Sequence, residues 1–292
     1  MSISVIVVTR DRANLLRNCL KSLEEQNVPL SQVVVVDNNS GDETKEVVDS
    51  FKKAIPIKYI FEAEIGVPFA RNKGLAEAEA EIVAFIDDDC LASPSWIREM
   101  KRAFEQFPNA TFIIGKTLAM NKGNIYTDLI SLEYRRWLRR HVNFSNKRLY
   151  DGSVFDTKNV AVKKNHLVKK KILFDPRFTH PLGEDTDLGK QIYASGLKGR
   201  YWPRMNVYHL EPANLFGFLS RSFRRGRSYY VLEKKWGRLF QKKKRKMTFK
   251  RRVSAQNHRA QLLLKIWKWF NQLGYHYEKL AETIKKVNLS LW

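Results

Sequence analysis

Cysteine is nearly absent: Cys19 and Cys90 are the only two in 292 residues, too few for a disulfide framework. No apolar run approaches the roughly 20 residues needed to span a bilayer. No signal peptide precedes the first apolar run, Ile3–Val8. These absences predict a reducing, cytoplasmic setting with at most peripheral contact at the inner face of the cell membrane. Internal repeats are absent as well. Acidic residues are scarce in the last third, where residues 211–292 hold 4 Asp/Glu against 21 Lys/Arg, a balance of +17.

The formal net charge of +23 belongs to the back half of the chain. Residues 1–130 carry 15 Lys/Arg against 19 Asp/Glu, and residues 131–210 carry 17 against 7. Basicity so placed favours a polyanionic partner: an anionic membrane surface, nucleic acid or a phosphorylated substrate. A hydrophobic content of 43% supplies a core and excludes wholesale disorder. The length suits one large α/β domain with an appendage.

The front half alternates. Ile3–Val8 and Val33–Val36 are continuous β-branched runs, as strands buried on both faces require. Ile57–Phe61 and Ile82–Ile86 follow as strands. Residues 13–26 show helical spacing at Ala13, Leu16, Cys19, Leu20 and Leu23. Helices are also predicted over Asp42–Phe51 and Ala70–Ala80. Strand–helix alternation with short links is the signature of a doubly wound sheet. Farther on, Phe112–Leu118 and Asn159–Val162 read as strands, and Ser131–His141 as a basic, aromatic helix. Gly183–Ser195 reads as a loop entering a helix, and the chain from Phe216 as mainly helical.

Open α/β sheets bind ligands beyond the carboxyl ends of their strands. Thr9 and Asp11 follow the first predicted strand, Asp37 ends the second, and Asp87-Asp88-Asp89 ends the fourth. Each alone reads equally as a helix cap; together on one edge they read as a site. Three adjacent carboxylates repel one another unless a cation or solvent relieves them. Oxygen-rich sites suit Mg2+ or Mn2+, which also hold nucleotide phosphates. Glu184-Asp185 complements a helix dipole or supplies a general base. His209 is a hydrogen-bonded residue among aromatics or an imidazole ligand. Arg71, at a helix start, is either exposed or set to contact a diphosphate.

Five stretches in this order resemble the inverting glycosyltransferases of family 2, which have the GT-A fold. They are Val5–Arg12 (VIVVTRDR), Val35–Asp42 (VVDNNSGD), Ala70–Gly74 (ARNKG), Phe85–Asp89 (FIDDD) and Gly183–Leu188 (GEDTDL). The likeness runs over residues 2–230, and Asn159–Lys164 and Phe174–Phe178 also match. It implies a mostly parallel central sheet flanked by helices and a metal-dependent transfer from a nucleotide-diphospho-sugar donor to a glycan or lipid-linked acceptor. Thr9 and Asp11 would line the nucleotide pocket, with Asp37 on the base or ribose and Arg71 on the nucleotide or its diphosphate. Asp87 and Asp88 would contact the donor. Asp89, with Asp87 and His209, would hold Mn2+ or Mg2+. Asp185 would be the catalytic base and Glu184 its acidic neighbour. Processive members carry Gln-x-x-Arg-Trp and transmembrane helices, whereas residues 222–227 here read SFRRGR, which implies single additions.

The division expected is a catalytic domain over 1–230 and a basic helical extension over 231–292, with Lys242–Lys246 (KKKRK) as a linker. Leu262, Ile266, Trp269, Phe270, Leu273, Tyr277 and Leu280 recur at helical spacing with Lys265, Lys268 and Lys279 among them. Such a stripe suits a membrane interface, or packs on the catalytic domain or on a second copy of the chain. Nucleic-acid binding or nucleotidyl transfer are the competing functions. The first leaves the acidic strand ends unexplained and is not expected. The second calls for a basic, glycine-rich phosphate loop where TRDR stands.

Overall fold

The computed structural model describes residues 1–150, 154–179, 182–237 and 258–290. Two compact units emerge. The first comprises Met1–Met120, Tyr134–Thr179 and Glu184–Leu210; the second comprises Asn121–Glu133, His180–Gly183 and Glu211–Trp292. The boundary expected after residue 230 falls inside a continuous helix, Leu215–Trp236. The KKKRK segment lies outside the described residues.

The first unit opens with β1 (Ile3–Thr9), α1 (Ala13–Glu24), β2 (Gln32–Asp37), α2 (Thr44–Phe51), β3 (Ile57–Phe61), α3 (Val67–Glu77) and β4 (Ile82–Asp87). Strands β3-β2-β1-β4 lie side by side and parallel. Alternation of side chains along β1 explains its apolar run: Val5 and Val7 pack with Leu16, Leu20 and Val48 on one face, while Ile6 packs with Ala70 and Leu75 on the other. Gly74 permits the close approach of α3, since a Cβ there would sit 2.6 Å from the Ile6 Cγ2.

The remainder of this unit is mixed. It runs β5 (Cys90–Ala92), α4 (Trp96–Gln106), β6 (Phe112–Ala119), α5 (Ile125–His141, whose first part belongs to the second unit), β7 (Val142–Asn143), β8 (Arg148–Leu149), β9 (Val160–Lys163), α6 (Lys164–Lys169), α7 (Glu184–Ala194) and β10 (Gly199–His209). The full strand order is β3-β2-β1-β4-β9-β6-β10-β8-β7, with β5 on β10. β9 is antiparallel to both β4 and β6. α5 starts six residues ahead of the predicted Ser131. The stretch from Tyr201 to Tyr208, not predicted as a strand, belongs to 11-residue β10, irregular between Tyr201 and Asn206.

In the second unit, α8 (Leu215–Trp236) and α9 (His258–Ser290) run side by side in the same direction. Ser222 meets Trp267, Arg227 meets Glu278 and Tyr230 meets Glu282. The backbones touch through glycine. A Cβ on Gly226 would lie 1.8 Å from the Asn271 carbonyl oxygen, and one on Gly274 2.0 Å from that of Phe223. Leu129, Ile130, Phe218, Ala260, Leu263 and Leu264 form this unit's core. Among the described residues, no helix is long and apolar enough to cross a membrane.

Candidate active site

Strand register brings the site's carboxylates to one edge. Thr9 pairs with Asp37 and Val8 with Asp87, so β1, β2 and β4 end level. The loops beyond them interlock. Asp11, at φ 53°, adopts the left-handed conformation that Asp tolerates better than most residues, and its Oδ1 accepts the Gly41 N–H at 2.8 Å. Asp42 returns the contact by accepting the Ala13 N–H at 2.8 Å, capping α1 across the gap. Asp37 accepts from the Ser40 N–H at 2.9 Å and from the Tyr59 hydroxyl at 2.7 Å. These bonds hold Asp37 and Asp11 in place at the tips of β1 and β2.

The three aspartates after β4 are treated differently by their surroundings. Asp87 Oδ1 accepts from the Arg71 guanidinium at 3.0 Å. Asp88 is buried, accepting from the Thr9 hydroxyl at 2.9 Å and from the Arg12 guanidinium at 3.0 Å. Burial pushes its pKa up to about 6 despite Arg12. Asp89 lies 3.4 Å from His209 Nε2. Burial opposes its charge, yet the hydrogen bond and charge of His209, aided by Arg12 and Lys158, hold the carboxyl well below its ordinary range. The pairing of β5 with β10 sets His209 opposite Cys90, next to Asp89. A cleft of about 330 Å³ opens beside Asp88 and Asp89, lined by Leu15, Asn18, Leu91, Met120 and Leu210 among others.

Ligand atoms of Asp89, Cys90 and His209 all lie within 4.8 Å of one another. A carboxylate oxygen with an imidazole nitrogen suits a divalent ion of the Mn2+ kind, so the residues present fit such a group. The Cys90 thiol is the weaker donor, because burial holds its pKa well above the usual value.

Arg71 is the hub. It is 5% exposed, and its two Nη atoms reach Glu184 Oε1 at 2.5 Å and Asp87 Oδ1 at 3.0 Å. Its guanidinium also stacks 5.6 Å over the Phe174 ring. The neighbouring Asn72 exchanges two hydrogen bonds with the Phe174 backbone, each 2.9 Å. The ARNKG stretch thereby ties the strand tips to the segment leading into α7, and Glu184-Asp185 open that helix. The arginine faces carboxylates of its own chain rather than solvent. Burial, then the charges of Glu184 and Asp156, push the Asp185 pKa up to about 7, with Lys158 and Arg71 pulling the other way.

Asp156 and Lys158 gave no signal in the sequence. They form a 2.8 Å ion pair ahead of β9, and the charge of Lys158 reaches both Asp89 and Asp185. Asn159 sets that segment, accepting from the Trp96 indole at 2.9 Å and donating to the carbonyls of Lys116 and Met205. The predicted set thus divides into three groups: Thr9 with Asp88, Asp87 with Arg71 and Glu184, and Asp89 with His209. Asp11 and Asp37 brace the loops, and Asp185 stands beside Glu184.

Level parallel strand tips carrying carboxylates, a mixed sheet beyond them and an acidic helix start bound back to those tips define a GT-A type transferase fold. The chain belongs to glycosyl transferase family 2, whose profile matches residues 4–174. Validoxylamine A glucosyltransferase of Streptomyces hygroscopicus subsp. jinggangensis is 30% identical over 220 residues, covering 67% of this chain and 52% of that protein. GalNAc(5)-diNAcBac-PP-undecaprenol beta-1,3-glucosyltransferase of Campylobacter jejuni is 29% identical over 201 residues, covering 65% of this chain and 59% of that protein. The chain therefore spans a little over half the length of these relatives. Mannosyltransferase PcManGT of Pyrobaculum calidifontis, solved in complex with GDP-Man and Mn2+, superposes with a TM-score of 0.64 at 18% identity. The superposition covers 99% of this chain and 80% of that one, a likeness of fold.

Proposed function

We propose that this chain moves one sugar at a time from a nucleotide-diphospho-sugar to a hydroxyl of a glycan or lipid-linked acceptor, with inversion at the anomeric carbon. The observation that carries the reading is the Arg71 bridge, which links Asp87 at the donor side to Glu184 beside Asp185. A base and a leaving group on opposite sides of one sugar are what inversion requires.

Asp37, Asp11 and Thr9 face the nucleoside end of the donor, with Asp87 and Asp88 nearer the ribose and sugar. Asp89 and His209 are the residues that would hold Mn2+ or Mg2+. When bound, the ion offsets the charge building on the departing diphosphate. Asp185 takes the acceptor proton as the hydroxyl oxygen attacks the anomeric carbon, and the bond from that carbon to the diphosphate oxygen breaks on the opposite face. The charge is then on the nucleoside diphosphate and the proton on Asp185. Arg71 fixes Glu184 in place, and the charge of Glu184 raises the affinity of Asp185 for that proton.

The relative that acts on an undecaprenol-linked sugar supports a lipid-linked acceptor, and the fold neighbour with GDP-Man and Mn2+ supports donor and ion type. Synthesis of a cell-surface polysaccharide or glycolipid is the matching role. Incubation with UDP-, GDP- and dTDP-sugars and Mn2+ tests the reading: release of nucleoside diphosphate is expected. Release of sugar 1-phosphate instead, with the nucleotidyl group passed on, would mark a nucleotidyltransferase and overturn it.

A further inference from the structure

On α9, Leu262, Trp269, Leu273, Tyr277, Leu280 and Ile284 are 43–60% exposed. Leu263, Leu264 and Gly274 are buried on the side facing α8. With the half-buried Ile266, the exposed residues make one continuous stripe. Along one border of that stripe the exposed residues are Lys265, Gln272, His276 and Lys279. Thus a helix already packed on one side keeps a second apolar strip in solvent, at a cost that a soluble surface has no reason to bear.

We propose that this stripe docks the second unit onto an anionic lipid bilayer, with α9 lying in the plane of the headgroups. Three observations choose that occupant. The stripe advances from Leu262 to Ile284 in six steps over 22 residues, about 3.7 per turn. That period keeps the stripe on one side of a nearly straight helix, as a flat surface requires, and excludes the left-handed heptad seam, which needs about 3.5. The stripe carries a tryptophan and a tyrosine with lysines at its edge, the composition that settles at the headgroup level. Finally, residues 211–292 carry a balance of +17. Of that balance, +8 falls on the described residues 211–237 and 258–290, which hold 12 Lys/Arg against 4 Asp/Glu; like charge of this size opposes pairing of two copies, while an anionic leaflet attracts it. A nucleic acid would meet the charge but leave the leucines without a partner.

Membrane docking stands apart from the catalytic reading, and its test uses neither donor nor acceptor. The full chain is sedimented with phosphatidylcholine vesicles containing or lacking about one-third phosphatidylglycerol. The comparison is with a Leu262→Gln, Trp269→Ser, Leu280→Gln variant, all solvent-facing positions, and with Lys265→Gln, Lys279→Gln. Circular dichroism and thermal melting verify that each variant is folded. The expected result is binding to the anionic vesicles at least about tenfold tighter than to neutral ones, weakened by salt, and reduced at least about tenfold in the apolar variant. The lysine variant should lose about thirtyfold on the anionic vesicles, about fivefold for each lysine, and little on the neutral ones. Equal vesicle binding by wild type and apolar variant overturns the proposal, as does absence of wild-type binding. A wild-type dimer that the apolar variant dissociates would also overturn it, by assigning the stripe to a second copy.

Discussion

At Asp185, burial and the charges of Glu184 and Asp156 favour the protonated acid, and the group titrates at about 7. A base acts only when ionised, so kcat/KM should climb as pH rises through about 7 and level off above it. Asp185→Asn should lower turnover about a thousandfold and erase that ascending limb, with donor affinity by calorimetry unchanged. Near-normal turnover in this variant would remove Asp185 from the role. The pair at 3.4 Å, Asp89 and His209, belongs to a different test. Asp89→Ala should weaken Mn2+-dependent donor binding at least about tenfold, as should His209→Ala, while binding without metal changes little. For these residues the sequence supplied candidates and their order, and the family resemblance grouped Asp89 with His209. The Arg71–Glu184 partnership was hidden, because that ion pair joins positions 113 apart and leaves no periodic trace.

Between elements, two kinds of join can be perturbed. Arg71 joins α3, β4 and α7 through charge. Arg71→Ala leaves Asp87 and Glu184 facing each other without their shared cation, and removing one partner from a buried pair costs about 3–5 kcal/mol. The urea midpoint should fall accordingly, and activity should be lost even where folding is restored by cold. Gly226 joins α8 and α9 by the absence of a side chain. Gly226→Leu inserts atoms where 1.8 Å separates an ideal Cβ from the Asn271 oxygen, so the helices must part. Faster proteolysis of the second unit, with the first unit's donor binding retained, is the expected outcome. The strands β1, β2 and β4 were legible because burial on both faces demands β-branched residues. β10 was not, since Pro203, Arg204 and Asn206 interrupt its apolar character, and its membership depends on neighbours supplied by β6 and β5.

For the chain as a whole, ligand linkage is the accessible readout. A donor with Mn2+ at about 100 times its Kd should stabilise the fold by about 2.7 kcal/mol, seen as a rise in Tm. The rise should shrink sharply in Asp89→Ala. Charge is distributed unevenly, with an acidic strand edge in the first unit and a cationic second unit. That distribution was visible in the sequence, whereas the extent of each unit was not. Asn121–Glu133 joins the second unit because Leu129 and Ile130 find their apolar partners on α8 and α9.

The sequence by itself determined the alternation of strands and helices, the placement of carboxylates at strand ends and the polarity of charge along the chain. Each of these is a local property, set by side-chain period or by composition. Tertiary structure alone decided that Arg71 spends both arms on carboxylates and that Lys158 lends its charge to the site, and it set His209 beside Asp89, a neighbourhood that only the family resemblance had implied. Those outcomes depend on β10 lying along β5 and on the Arg71–Glu184 bridge between α3 and the start of α7. Long-range packing creates such neighbours, and no short stretch of residues encodes them.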